Sequence, residues 1–259
     1  MNGGESNLGP EIVLESVGKT FKSGKDTIEV IRNLSLSVDD GKFLCVVGPS
    51  GCGKTTLLKL MCGLLQPSSG RVLVKGNPPD PKRNRFGVIF QEDSLLPWRN
   101  VLANVKFGLE ITRNKTDIDD LAREFLSLVG LKGFEEYYPH QISGGMKKRV
   151  AIARAMAVDP EIILMDEPFA DLDAQTRQIL QKELLAVWSK FNKTVIFITH
   201  NVDEAVFLAQ EIVVLTKRPA TVKAVVKVNL EYPRARLSPP FISYREKILG
   251  YLHEEITAL

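Results

Sequence analysis

The segment Gly48-Pro49-Ser50-Gly51-Cys52-Gly53-Lys54-Thr55 constrains this chain more than any other. It follows directly on an unbroken apolar run, Phe43 to Val47. It precedes Leu57, Leu58, Met61, Leu64 and Leu65, which recur at helical spacing and are closed by Pro67. The apolar run predicts a strand buried on both faces, and the spacing predicts a helix. Glycines at the turn let backbone N–H groups face an anion with no Cβ in the way. A helix starting there aims its positive end at the same point. This is the G-x-x-x-x-G-K-T pattern of a loop that cradles nucleotide phosphates. Lys54 would reach the β- and γ-phosphates of ATP, and Thr55, followed by Thr56, would ligate Mg²⁺.

A second acidic site lies downstream. Ile162-Ile163-Leu164-Met165 is an apolar strand that ends in Asp166-Glu167. In a parallel sheet, ligands gather at the carboxyl ends of strands. Asp166 would hold Mg²⁺ through water, and Glu167 would polarise the attacking water as general base. By themselves two carboxylates could simply cap the next helix. A phosphate loop earlier in the chain favours the functional reading.

The rest of the chain fits one α/β unit with a helical insertion. Glu11 to Val17, Leu34 to Val38 and Arg71 to Lys75 read as strands, with turns at 39–41 and 67–70. Residues 92 to about 157 read as a helical lobe: Asn100 caps a helix through Leu109, and Thr116-Asp117-Ile118-Asp119 has the form of a capping box. There Ile118, Leu121, Phe125 and Leu128 share a face, and Ser143 starts a helix that ends before Pro160. Beyond Glu161, strand and helix alternate through Leu215, as in a parallel sheet covered by helices. The predicted limits are a loose tail over 1–10, a domain over 11–216 and a short extension over 217–259. The extension holds a β-like run from Val222 to Val228, a proline-rich bend and an amphipathic helix from Phe241.

Composition narrows the partners. Thirty-four basic and 31 acidic residues give a net charge of +3, too mild to imply nucleic acid. The run Lys82-Arg83-Asn84-Arg85 reads as a solvated loop. No stretch approaches the ~18 apolar residues that span a bilayer, and no signal-peptide pattern is visible. The three cysteines, Cys45, Cys52 and Cys62, have neither disulfide-framework nor metal-ligand spacing. A reducing, cytoplasmic setting is expected.

Further segments narrow the family. Ile142-Ser143-Gly144-Gly145-Met146 resembles the LSGGQ signature of ATP-binding-cassette (ABC) proteins. Gln91 resembles the Q-loop glutamine, Ala170-Asp171-Leu172-Asp173 the D-loop and His200 the switch histidine. The resemblance covers roughly residues 11 to 216. It implies a P-loop ABC cassette with a parallel-sheet core, an N-terminal antiparallel β subdomain and an inserted helical lobe. It also implies two copies facing head to tail around two ATP molecules. Ser143, Gly144 and Gly145 would then contact ATP held by the other subunit, and His200 the γ-phosphate held by its own. Gln91 would sense Mg²⁺ or the attacking water, and Asp173 would lie at the nucleotide through the D-loop. Phe21 would stack on adenine, or else serve the core. His140 and His253 match no motif and read as surface histidines.

Asp93-Ser94-Leu95-Leu96-Pro97-Trp98 with Asn100-Val101 resembles the LLPW…NV pattern of cassettes serving nitrate, sulfonate and taurine importers, and Met146 and Lys217-Arg218-Pro219 agree. The resemblance implies transmembrane permease subunits as partners, a solute-binding protein indirectly, and a peripheral place on the cytoplasmic face of the membrane. A soluble ABC ATPase is the competing reading. The cluster Leu95 to Trp98 reads either as lobe core or as a groove for a permease helix. Lys148 and Ala220 depart from the pattern, at positions expected to lie away from the nucleotide chemistry. Cys52 is expected either to fill space or to carry a thiol of lowered pKa, near Lys54 and a helix start.

Overall fold

The computed structural model describes residues 11–24, 26–91, 95–112 and 117–257. The tail over 1–10, Asp93, Ser94 and Thr116 therefore lie outside the described residues. The chain forms two compact units, one running up to Asn84 and resuming at His200, the other spanning Arg85–Thr199.

In the first unit, β1 (Ile12–Ser23) pairs antiparallel with β2 (Asp26–Val38) and β4 (Ser69–Val74), in the order β2-β1-β4. Leu34, Leu36 and Val38 are buried while Ser35 and Ser37 are exposed, the alternation of a sheet with one wet face. β3 (Phe43–Val47) is buried at all five positions and runs parallel to β8 (Glu211–Leu215), which pairs antiparallel with β9 (Val222–Lys227). The unit's helices are α1 (Lys54–Met61), α6 (Val202–Leu208) and α7 (Pro239–Thr257).

Here α1 is shorter than its apolar spacing predicts. It stops at Met61, and Leu64 is 52% exposed. The cause is Gly63, whose φ is 74°. A left-handed residue just past a helix end terminates it. A Cβ there would also lie 2.6 Å from the Pro79 carbonyl oxygen.

In the second unit, β5 (Phe86–Ile89), β6 (Ile162–Asp166) and β7 (Thr194–Ile198) form a parallel ladder in that order. β6 and β7 are buried throughout, which explains the apolar runs Ile162–Met165 and Val195–Ile198 within them. α2 (Val101–Thr112), α3 (Ile118–Leu128) and α4 (Gly144–Ala157) pack on one another as the expected helical lobe. A 3-10 turn at Pro139–Gln141 precedes α4, and α5 (Ala174–Phe191) follows β6.

Local signals read well at most helix starts. The Asn100 side chain accepts from the Ala103 N–H at 2.8 Å and caps α2, which continues past Leu109. The expected capping box at α3 begins at Thr116, outside the described residues. Asp117 occupies the cap position at φ 68° and makes no side-chain cap bond. Lys82 and Arg83 are exposed as expected, whereas Arg85 pairs with Asp159 at 3.0 Å and Glu161 at 3.2 Å. The fold is the expected α/β class: parallel strands, an antiparallel N-terminal sheet and a helical lobe.

Candidate functional site

The phosphate loop joins β3 to α1 within the first unit. Its glycines are required for different reasons. Gly51 sits at φ 71° with open space around it, while Gly53 sits at φ 122° and a Cβ would come within 2.8 Å of Val30 Cγ1. Gly48 would meet Cys52 Sγ at 3.0 Å and Leu215 Cβ at 3.1 Å. The left-handed conformations and the crowding together exclude side chains. Gly53 caps α1 with no side-chain cap bond. Gly53 has no side chain with which to cap the first-turn N–H groups, and a phosphate is a natural acceptor for them. Lys54 is 7% exposed, and its ammonium donates to the carbonyls of Gly48 at 3.0 Å and Pro49 at 3.1 Å. It is thus folded over the loop it would share with an anion. Ser50 and Thr55 are exposed, and Pro49 and Thr56 half-buried.

Cys52 follows the space-filling one of its two readings. Its side chain is buried, and burial pushes its thiol pKa up; Lys54 opposes this but does not prevail. The thiol fills space under Gly48. Cys45, Cys52 and Cys62 are all free and buried.

The acidic pair lies in the second unit. Asp166 closes β6 and is 4% exposed. Glu167 is half-buried at φ 45°, an uncommon backbone for a non-glycine residue. Its N–H donates to the Ile198 carbonyl at 2.9 Å, and its own carbonyl accepts from Ala170 N–H at 3.2 Å. The chain turns off the strand at this residue. Strain of this sort gathers at functional sites. In the D-loop, Asp173 Oδ1 accepts from the N–H groups of Gln175 at 3.0 Å and Thr176 at 2.9 Å. Those donations, Thr176's foremost, lower its pKa. Asp173 is therefore at least the N-cap of α5.

The signature segment starts α4. Ser143 Oγ accepts from Met146 N–H at 3.3 Å and caps the helix. A Cβ on Gly145 would lie 2.8 Å from Thr176 Cγ2, whereas one on Gly144 would meet nothing closer than Leu172 Cδ2 at 3.9 Å. Ser143, Gly145 and Met146 line a cavity of about 320 Å³ with Phe134, Arg149 and Ile179. Gln91 is exposed beyond β5.

Lys148, which stands where a glutamine is usual, lies against the Q-loop segment. It is 4% exposed, and its ammonium donates to the Gln91 carbonyl at 2.6 Å. The departure from the usual glutamine thus acts on the Q-loop backbone.

His200 and Phe21 belong to the first unit. His200 is exposed immediately before α6. Phe21 is 38% exposed with the Lys19 ammonium 5.1 Å from its ring centre, so the core reading does not hold. His140 and His253 are exposed, as expected. The Leu95–Trp98 cluster divides between its two readings: Leu95 is 8% exposed and Trp98 72%.

The residue that shapes this cluster was missed in the sequence. Asn104 is fully buried; its side chain accepts from Leu96 N–H at 2.8 Å. It also donates to the carbonyls of Leu96 at 3.1 Å, Arg99 at 2.9 Å and Asn100 at 3.0 Å. The signal was an asparagine within a helix whose neighbouring turns are apolar.

The residues present suit a Mg-nucleotide. The loop has a helix start with no side-chain cap from Gly53 and a cradle that a Cβ would fill, and Asp166 offers a sequestered carboxylate at a strand end. Comparison with known proteins supports the nucleotide. A family model described as "ABC transporter" matches residues 31–170. An uncharacterized ABC transporter ATP-binding protein of Methanocaldococcus jannaschii is 51% identical over 247 residues, covering 95% of this chain and 92% of that one. An aliphatic sulfonates import ATP-binding protein of Bacillus cereus is 41% identical over 238 residues, covering 92% and 94%. Among solved structures, a dimeric ATP-binding cassette in a post-hydrolysis state with ADP and Pi superposes with a TM-score of 0.74. It is 30% identical and covers 85% of this chain and 100% of that one.

Proposed function

The chain belongs to the ABC transporter family as an ATP-hydrolysing, ATP-binding subunit, and from that premise we propose that it energises import of a small solute of the sulfonate, taurine or nitrate kind. The observation that carries this reading is the likeness to a sulfonate-import subunit over 92% of the chain, well beyond the nucleotide motifs. The Leu95–Trp98 segment adds to it. Asn104 holds the backbone of residues 96–100, and Trp98 projects 72% exposed. An exposed aromatic on a braced loop suits an apolar helix of a permease. No helix among the described residues is long and apolar enough to cross a membrane. The permease would supply the crossing, with this subunit peripheral on its cytoplasmic face and a solute-binding protein delivering cargo.

The residues then take these roles. Gly48 to Thr56 hold the phosphates, with Lys54 on the β- and γ-groups. Thr55, Asp166 and Gln91 hold Mg²⁺, which neutralises phosphate charge. Glu167 accepts the proton of the attacking water. His200 contacts the γ-phosphate, and Phe21 stacks on the base. Ser143, Gly144 and Gly145 of a second copy complete each site in a head-to-tail dimer, with Asp173 alongside; a dimeric relative supports that assembly. The open space at Gly144 fits this, because nothing in its own unit crowds a Cβ there.

The experiment is co-expression with the neighbouring permease and binding protein, followed by uptake of labelled taurine, an alkanesulfonate and nitrate. ATP-dependent uptake of one of them is expected. Robust ATPase activity with no permease in the purified complex would favour the soluble ATPase instead. Trp98→Ala should lower the ratio of transport to ATP hydrolysed and leave nucleotide binding intact.

A further inference from the structure

The extension beyond residue 216 has no part in the nucleotide motifs, yet it grips one short helix. Arg234 is 6% exposed. Its guanidinium donates to the carbonyls of Val206 at 2.7 Å and Ala209 at 2.6 Å, at the end of α6. It also donates to Leu230 at 3.1 Å and Val228 at 3.5 Å, on the chain leaving β9. All four acceptors are main-chain carbonyls. The Tyr232 hydroxyl donates to the Leu208 carbonyl at 2.6 Å, and the Arg234 guanidinium lies 4.2 Å from the Tyr232 ring centre. Burial pushes Tyr232 up to about 12, so the hydroxyl keeps its proton for that bond. Arg236 lies 4.0 Å from the ring centre of Phe207 and donates to the Asp203 carbonyl at 3.4 Å; Arg245 pairs with the Asp203 carboxylate at 3.3 Å.

The physics favours this arrangement. The last carbonyls of a helix have no partner within it and carry the negative end of its dipole. Arg234 and Tyr232 satisfy three of them. Burying a cation without a carboxylate is costly, so such a contact requires several well-placed acceptors. α6 has seven residues. A helix shorter than ~12 residues is marginal by itself, so its placement depends on what packs against it. At the other end, Asn201 caps α6 by accepting from Glu204 N–H at 3.3 Å, and His200 comes immediately before Asn201.

We propose that Arg234, assisted by Tyr232 and Arg236, is a positioning residue for hydrolysis: it fixes the far end of α6 and thereby the orientation of His200 just ahead of it. The proposal rests on the reading of His200 as the γ-phosphate contact. ATP is held by the separate loop Gly48–Thr56, so loss of the clamp should slow turnover and spare binding.

The test uses the full chain at matched concentration, comparing wild type, Arg234→Gln, Tyr232→Phe, His200→Ala and each clamp variant combined with His200→Ala. Steady-state ATPase, equilibrium binding of a fluorescent ATP analogue and thermal unfolding are measured. Arg234→Gln should lower kcat about tenfold while KM and nucleotide affinity stay within about twofold. Combined with His200→Ala it should cost nothing further, because both changes remove one function. Should Arg234→Gln fail to fold, Tyr232→Phe decides. It loses one hydroxyl and should lower kcat about twofold to threefold, again only when His200 is present. Equal loss in both backgrounds, or wild-type kcat in a folded clamp variant, overturns the clamp alone. Wild-type kcat in His200→Ala removes the histidine reading, and the clamp with it.

Discussion

Two glycine-rich helix starts occur in this chain, and they are built on opposite principles. At α1 the glycines are demanded from within: Gly51 and Gly53 have positive φ, and Val30 stands where a Gly53 side chain would go. Gly53 gives the helix no side-chain cap, and the neighbouring lysine is buried over the loop. At α4 the cap is made internally by Ser143. Gly144 has ordinary φ and open space, so its own unit does not require glycine there. The first start is shaped to receive an anion within its own chain. The second is a capped helix end with room beside Gly144. Smallness imposed by the fold is thus present at one position and absent at its neighbour, since Gly145 is crowded by Thr176 and Gly144 is not.

The strongest way to break this contrast is at the loop. Lys54→Ala should abolish ATPase and weaken ATP binding at least about a hundredfold, roughly 3 kcal/mol for a charge-assisted phosphate contact. Titration with a fluorescent nucleotide checks it, and near-normal affinity would refute the loop's assignment. By contrast, Glu167→Gln should keep ATP binding and lose about a hundredfold or more in kcat. Trapped ATP in a single-turnover assay is the readout.

Gly144→Ala tests the other start. Alanine is favoured over glycine inside a helix by about 0.5–1 kcal/mol, so stability should hold or rise. Hydrolysis and ATP-dependent dimerisation should nevertheless fall. Calorimetry and light scattering separate the two effects, and unchanged dimerisation would show that the open space at Gly144 serves no partner. Ser143→Ala should remove the cap and cost about 1 kcal/mol, read from denaturant midpoints.

The smallest effect concerns pH. Asp173 caps α5, and the N–H groups of Thr176 and Gln175 depress its pKa. A depressed folded-state pKa gives stability that is present above the unfolded value and lost as pH falls through the folded one. The wild type should therefore lose slightly more stability than Asp173→Asn between neutral pH and acid. The hydroxyl cap at Ser143 should contribute nothing to that slope.

Much of this could be read from local pattern. Short-range spacing carried the phosphate loop, the buried strands β3, β6 and β7, the caps at Asn100 and Ser143, and the acidic pair, because each depends on residues within one turn or strand. Local pattern left undecided what packing decides. α1 stops at Gly63, which takes a left-handed conformation beside Pro79. The Cys52 thiol is buried, which outweighs the effect of Lys54. Lys148 reaches a carbonyl 57 residues away.

The sequence by itself determined the fold class, the buried strands β3, β6 and β7 and the alternation of strand and helix beyond Glu161, since glycine conformation, helix capping and apolar periodicity are local properties. Only the tertiary structure decided which glycines are crowded, that Asn104 braces the loop carrying Trp98, and that Arg234 closes the end of α6. Those depend on which buried carbonyls and side chains long-range packing brings within hydrogen-bond reach, and spacing along a chain does not carry that information.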